Sequence, residues 1–205
     1  MAFDYVFWAA VVGDNTVRLT HLEGFSEDFE LEEGIAHAHD YPDDARFAMS
    51  PDWPNSTILA DHLSNISSLV VISPRLHDFV STRADEKTEF LPTRVMDHKG
   101  KQLAERYWIV NPVGQAACLD GERCGVSKEM GISIEQMSHF AVVDAAVPRE
   151  RRLFRMERLA RYVLVHRELA KAIDAAGFTG NRWVEPSEIL GRRIPADLTD
   201  LPPRA

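Results

Sequence analysis

The chain has 205 residues, 45% of them hydrophobic and 27% charged, the profile of a globular protein able to bury a full core without disulfide or metal staples. A net charge of −9 and a pI near 5.4 argue against nucleic acid as a direct ligand, because phosphate contacts need lysine and arginine. Two cysteines, Cys118 and Cys124, are too few for a disulfide scaffold and suit a reducing compartment.

The first apolar run, Tyr5 to Val12, is too short to cross a bilayer and reads as a buried strand. Asp4 is the first charge, where a signal peptide wants a basic segment, so a cytoplasmic location and no membrane partner are expected. Residues 3–12 and 15–22 read as two strands joined at Gly13-Asp14-Asn15. A loop-rich region with Pro42, Pro51 and Pro54 follows. Ser68 to Ile72 is a short apolar strand that runs into a helix, with Ser73 as N-cap and Pro74 at the first helical position. Leu76, Phe79 and Val80 share one face of that helix.

Residues 90–97 and 103–111 predict a hairpin around His98-Lys99-Gly100-Lys101, with Leu103 to Val110 as a central strand ended by Pro112. Further strands are expected around Phe140 to Val143, at Leu153 to Met156 and at Tyr162 to Val165. His166 to Ala176 is the clearest helix, with Leu169, Ala172, Ile173 and Ala176 at helical spacing and Gly177 as its left-handed stop. Phe178 to Val184 returns as a strand, and a tail with Pro195, Pro202 and Pro203 is expected to fray or drape on the surface.

This mixture predicts an α+β fold: a mixed, mainly antiparallel sheet with a few helices packed on it. The expected organisation is a β-rich N-terminal arm over 1–68, an α+β core over 69–190 and a proline-rich tail over 191–205, together forming one compact domain.

The net charge is concentrated in one stretch. Between Glu23 and Asp44 lie nine acids (Glu23, Glu27, Asp28, Glu30, Glu32, Glu33, Asp40, Asp43, Asp44) and no lysine or arginine. The rest of the chain is balanced, with 23 acids against 23 bases. Such a patch repels itself unless a cation or a basic partner offsets it. Phe25, Phe29, Leu31, Ile35 and Tyr41 are interleaved with the acids, and solvating tails usually lack such residues. The stretch therefore reads as a docking surface for a basic protein, with Phe29 and Tyr41 as anchors and loop residue Trp53 as a further contact. The bland alternative is a solvated loop.

Other constellations carry less. His37, His39 and Asp40, with Asp61 or His62, could hold a zinc ion and support a metal-dependent hydrolase, but they also read as a polar loop beside acids. Cys118 and Cys124, with His139, could supply a nucleophile; two small buried hydrophobes is the plainer reading. No phosphate-binding loop and no nucleophile elbow is present. Arg155, inside an apolar strand, is either an internal salt-bridge anchor or an outward strand residue. Trp108 and Trp183 read as core.

Several landmarks in order carry a resemblance. They are Val70-Val71-Ile72-Ser73-Pro74-Arg75-Leu76, Tyr107-Trp108-Ile109-Val110-Asn111-Pro112-Val113, Cys118-Leu119-Asp120, Leu153-Phe154-Arg155-Met156, the helix after Val165, and Phe178-Thr179-Gly180. Over Leu69 to Pro186 the chain resembles the bacterial polymorphic-toxin immunity proteins of immunity protein family eleven, earlier a domain of unknown function. The resemblance implies an intracellular protein made beside a toxin gene, which binds that toxin and spares the producer. It supplies no catalytic residues, and no metal or cofactor is expected. The expected function is stoichiometric inhibition of a basic toxin domain, for which a nuclease is the natural candidate. A metal-dependent hydrolase and an adaptor with a solubilising acidic loop are the other readings.

Overall fold

The computed structural model describes residues 3–103, 105–125 and 137–189. Among the described residues, eleven strands form two sheets, β1 (Tyr5–Ala10), β2 (Arg18–Leu19), β3 (Arg46–Ala48), β4 (His62–Asn65), β5 (Val70–Ile72), β6 (Thr88–Met96), β7 (Tyr107–Pro112), β8 (Gln115–Ala116), β9 (Leu153–Met156), β10 (Val163–His166) and β11 (Asn181–Val184). The helices are α1 (Asp28–Glu32), α2 (Pro74–Ser81) and α3 (Arg167–Ala175). The expected α+β class holds, with strands dominant and antiparallel pairs in the majority.

The five-stranded sheet runs β11-β1-β10-β9-β8, so the first strand of the chain sits beside strands from its C-terminal part. The six-stranded sheet runs β2-β4-β5-β7-β6-β3. Its ends meet: Leu19 bridges Met49, Glu23 bridges Arg46, and Thr20 N–H donates to the Ala48 carbonyl at 2.9 Å. These bonds close the sheet into a small barrel, which removes the open edges that β2 and β3 would otherwise present.

Alternation along the strands divides the core into three layers. Leu19, Leu63, Val71, Leu91, Val95 and Ile109 fill the barrel. Val70, Ile72 and Val110, on its outer wall, meet Val6, Trp8, Leu153, Val163 and Val165 of the other sheet in a seam that also buries one face each of α2 and α3. Tyr5, Phe7, Phe154, Met156 and Leu164 point away from the seam and are covered by Cys118, Cys124, Met137 and Val147. Both faces of β1, β5, β7 and β10 are therefore buried, which is why those segments read as continuous apolar runs.

Helix α2 starts as the sequence predicts, and α3 begins one residue later than expected, at Arg167, with His166 as its N-cap. Ser73 Oγ accepts from Leu76 N–H at 3.2 Å, Pro74 opens α2, and α3 ends with Gly177 at φ +73°. The second hairpin strand starts at Tyr107 instead of Leu103. A tight inner turn at residues 97–101, where Asp97 and Lys101 are hydrogen-bonded, and a Met96–Gln102 bridge come first.

Four expectations change. Residues 3–12 and 15–22 do hold two strands, but in different sheets: β1 lies in the open sheet between β10 and β11, and the second, β2, is only Arg18–Leu19 and lies in the barrel. The loop-rich region supplies β3 and β4: β3 pairs with β6 far along the chain, and β4 makes a hairpin with β5 and a long-range pair with β2, short strands that leave little local pattern. Phe140 to Val143 makes one isolated bridge, Leu119 to Val142, instead of a strand. The strand expected from Phe178 begins at Asn181, after Thr179 and Gly180 make a close contact with the barrel. The proline-rich tail lies outside the described residues.

Candidate functional site

The acidic segment is the long connection from β2 to β3, and both of those strand ends lie at the same end of the barrel. Residues 23–44 thus form a cap. Leu31, on the inner face of α1, is fully buried in the barrel core, and Phe25 and Tyr41 pack beside it. The five-residue α1 is too short to be stable alone, so this apolar plug sustains it. Burial pushes the Tyr41 phenol well above its usual range.

A polar belt holds the cap down. Glu30 contacts His37 Nε2 at 2.9 Å, and Asp40 contacts His37 Nδ1 at 3.1 Å. The backbone N–H groups of His37 and Ala38 donate to the Glu89 carboxylate, and Asn111 donates to the Ile35 carbonyl. Glu32 pairs with Arg161 at 3.2 Å, Glu33 accepts from Gln115 at 2.8 Å, Asp28 accepts from Ser67 at 3.2 Å, and Glu23 pairs with Arg46 at 3.1 Å. Burial raises the Glu32 carboxyl, and Arg161 opposes that shift.

Arg155 lies beneath the cap. Neither sequence reading of it holds. The residue is 1% exposed, so it does not point outward, and among the described residues it makes no ion pair within 4 Å. Its guanidinium donates to the Ala160 carbonyl at 2.6 Å. Burial lowers its pKa to about 10, while Glu32 and Glu33 of the cap favour its charge. A buried cation is strongly penalised without compensation, so part of the cap's negative charge answers a need inside the protein. Gly34 makes this fit: at φ +71°, a Cβ there would lie 2.8 Å from the Pro112 carbonyl oxygen and 2.9 Å from Arg155 Cδ.

The nine acids therefore divide in two. Glu23, Asp28, Glu30, Glu32, Glu33 and Asp40 have partners on the protein itself. Glu27, Asp43 and Asp44 are exposed, and their carboxylates have no ion pair among the described residues. Phe29, 60% exposed, and Ile35, 45% exposed, stand on the same cap. Trp53 is elsewhere: it sits in the loop after β3, at the opposite end of the barrel, with the Arg18 guanidinium 3.6 Å over its ring. The cap and Trp53 do not form one site.

The histidine cluster also separates. His62 is buried in the seam against Trp8, whereas both ring nitrogens of His37 are engaged by carboxylates at the cap. Among the described residues, no group of three or more His, Cys, Asp and Glu side chains could hold a metal ion. Cys118 and Cys124 are buried, and burial pushes the Cys118 thiol up to about 11, the opposite of an activated nucleophile.

One feature escaped the sequence reading. A cleft of about 60 Å³ opens in the seam and is lined by residues of β1, β4, β5 and β10, among them His62 and Val70. Nothing local marks it, since it lies where two sheets meet.

With this geometry in view, comparison with known families is decisive: the Immunity protein family (Imm11) model matches residues 10–187. The chain belongs to the Imm11 immunity protein family. The match extends the resemblance seen from Leu69 onward back through the cap and the barrel. No curated protein matches the chain. Membership in Imm11 supports an immunity role and a toxin as the partner, and it suggests an inhibitor that works without catalysis. Among the described residues, no helix of this Imm11 member is long and apolar enough to cross a membrane.

Proposed function

We propose that this Imm11 protein is a stoichiometric inhibitor of a secreted bacterial toxin, acting in the cytoplasm, and that the acidic cap is the surface that meets a basic cleft on the toxin. The observation that carries this reading is the concentration of all the net charge on one barrel end, with Glu27, Asp43 and Asp44 left facing solvent beside Phe29 and Ile35. Unpaired carboxylates attract a cationic partner at long range, and exposed apolar groups hold it after contact. A nuclease fits, because an enzyme that attracts phosphates is basic. The internally bonded acids Glu30, Glu32, Glu33 and Asp40 shape the surface and add to its field. Tyr41, packed against Phe25, supports the cap from below. Trp53 would belong to a second contact.

The test is a triple charge reversal, Glu27→Lys with Asp43→Lys and Asp44→Lys, measured against the toxin encoded beside this gene. Association should slow by about tenfold or more at low salt, and the wild-type advantage should fade as ionic strength rises past about 0.15 M. Thermal stability should not fall, since these side chains bond nothing else in the described structure. An unchanged association rate in a folded variant sinks the acidic-cap reading.

A further inference from the structure

Half of the exposed large hydrophobic side chains among the described residues gather at the barrel end away from the cap. Trp53 is 46% exposed, Ile58 56%, Leu59 44% and Val11 40%. Hydrogen bonds fix them as neighbours. Ile58 N–H donates to the Asn15 carbonyl, and the Ile58 carbonyl accepts from Val17 N–H, both at 2.9 Å. Arg18, next to Val17, lays its guanidinium over the Trp53 ring. Val11 N–H donates to the Gly180 carbonyl at 2.8 Å, and Gly180 lies against Ala60, the neighbour of Leu59.

Residues 51–59 are all exposed except Ser56, and Asp52 is their one charge, in a chain that is 27% charged overall. Large apolar side chains with few charges are the composition of an interface core. Residues 11–16 and the turn at 97–101 border this loop, the latter through a 3.2 Å contact of His98 Nε2 with the Ser56 carbonyl. Together the three segments supply about twenty positions, the low end of the 20–30 that each side of a stable interface needs.

Charge selects the partner. Asp14 and Asp52 stand on this face with Lys99 and Lys101, all four exposed and none in an ion pair among the described residues. A balanced face gives a basic toxin no long-range attraction. It does suit a second copy, because a two-fold contact needs a surface complementary to itself, and two acids beside two lysines let the axis set unlike charges opposite one another. Repulsion points the same way. Strand β6 runs from the cap, where Glu89 holds it, to Met96 beside β3 at this end, nine residues or roughly 30 Å. Two copies joined here keep their acidic caps on the order of 60 Å apart, far beyond a screening length of about 8 Å. Copies joined through the caps would set like charge against like.

We propose that two copies of this chain pair about a two-fold axis through the Trp53 loop, with Trp53 and Ile58 at the centre and Asp14 and Asp52 of each copy set against Lys99 and Lys101 of the other. The pairing rests on this face alone. Its consequence, a dimer that presents two outward caps and carries two toxins, rests on the acidic-cap reading.

The experiment is sedimentation equilibrium on the whole chain. The mass should rise to twice the 23.1 kDa of one copy as concentration passes about 10 µM. Ile58→Asp should raise the dimer dissociation constant about a hundredfold without lowering the melting temperature. Two further variants, Asp14→Lys with Asp52→Lys and Lys99→Glu with Lys101→Glu, should each be monomeric alone and form a heterodimer when mixed. A wild-type chain that stays monomeric to about 100 µM overturns the pairing, as does an Ile58→Asp chain that still dimerises fully. Failure of the two charge variants to pair on mixing overturns the two-fold arrangement. The triple charge reversal of the cap should leave the dimer intact. A dimer together with unaltered toxin association in that variant keeps the pairing and removes the cap; a monomer together with slowed association does the reverse.

Discussion

Asp61 Oδ2 accepts both the backbone N–H of Thr179, at 2.8 Å, and its hydroxyl, at 3.1 Å, across 118 residues of sequence. The same carboxylate takes Ser73 Oγ at 2.8 Å and Arg75 at 2.7 Å, so one side chain ties the start of β4 to the N-cap of α2 and to the approach to β11. Next to it, a Cβ on Gly180 would collide with the His62 carbonyl oxygen. The barrel and the open sheet are joined here by hydrogen bonds as well as by the apolar seam.

That joint predicts an acid limb of stability. Burial alone would raise the Asp61 carboxyl, but the bonds from Arg75, Thr179 and Ser73 outweigh it and hold the pKa down to about 2. A lowered carboxyl contributes stability that is complete above its unfolded value near 4 and is lost as pH falls through 2, here on the order of 2 kcal/mol. Asp61→Asn should remove that limb. Asp61→Ala should cost about 3 kcal/mol in urea unfolding at neutral pH, because it removes the acceptor of five hydrogen bonds from Ser73, Arg75 and Thr179.

His62 governs a different window. Its pKa is lowered from 6.5 to about 3, first by burial, so the native state resists protonation where the unfolded chain accepts it. Stability from this group is complete above pH 6.5 and declines by about 1.4 kcal/mol per unit as pH falls toward 3. Urea midpoints of wild type should drop between pH 6.5 and 4, and His62→Gln should flatten that slope while leaving the Asp61 limb below pH 4. A wild-type midpoint constant across pH 6.5 to 4 contradicts a buried neutral His62.

Gly34→Ala should be among the most damaging single-methyl changes. It combines a positive φ with contacts under 3 Å to the Pro112 carbonyl and Arg155, and a cost of about 2–4 kcal/mol is expected. The loss should fall on the cap: amides of 28–38 should exchange faster than those of β5 and β7. Uniform acceleration across the protein would mean that the cap is not a separable unit.

The sequence by itself determined the elements whose signals are local. Ser73-Pro74 sets the start of α2, the spacing of Leu169 and Ile173 sets the buried face of α3, and the apolar runs of β5, β7, β9 and β10 mark strands buried on both faces. It also located the acidic segment and the family landmarks, since charge counts and ordered motifs need no folding. Only the tertiary structure decided the rest. Barrel closure depends on Leu19 meeting Met49, the burial of Arg155 depends on α1 lying over β9, and the seam cleft depends on two sheets coming together. Each of these is a contact between distant segments, whose free energy comes from shared burial and leaves little trace in either segment alone. For the same reason the acids looked like one surface in the sequence, while the folded chain turns most of them toward its own cations and donors and leaves Glu27, Asp43 and Asp44 facing outward.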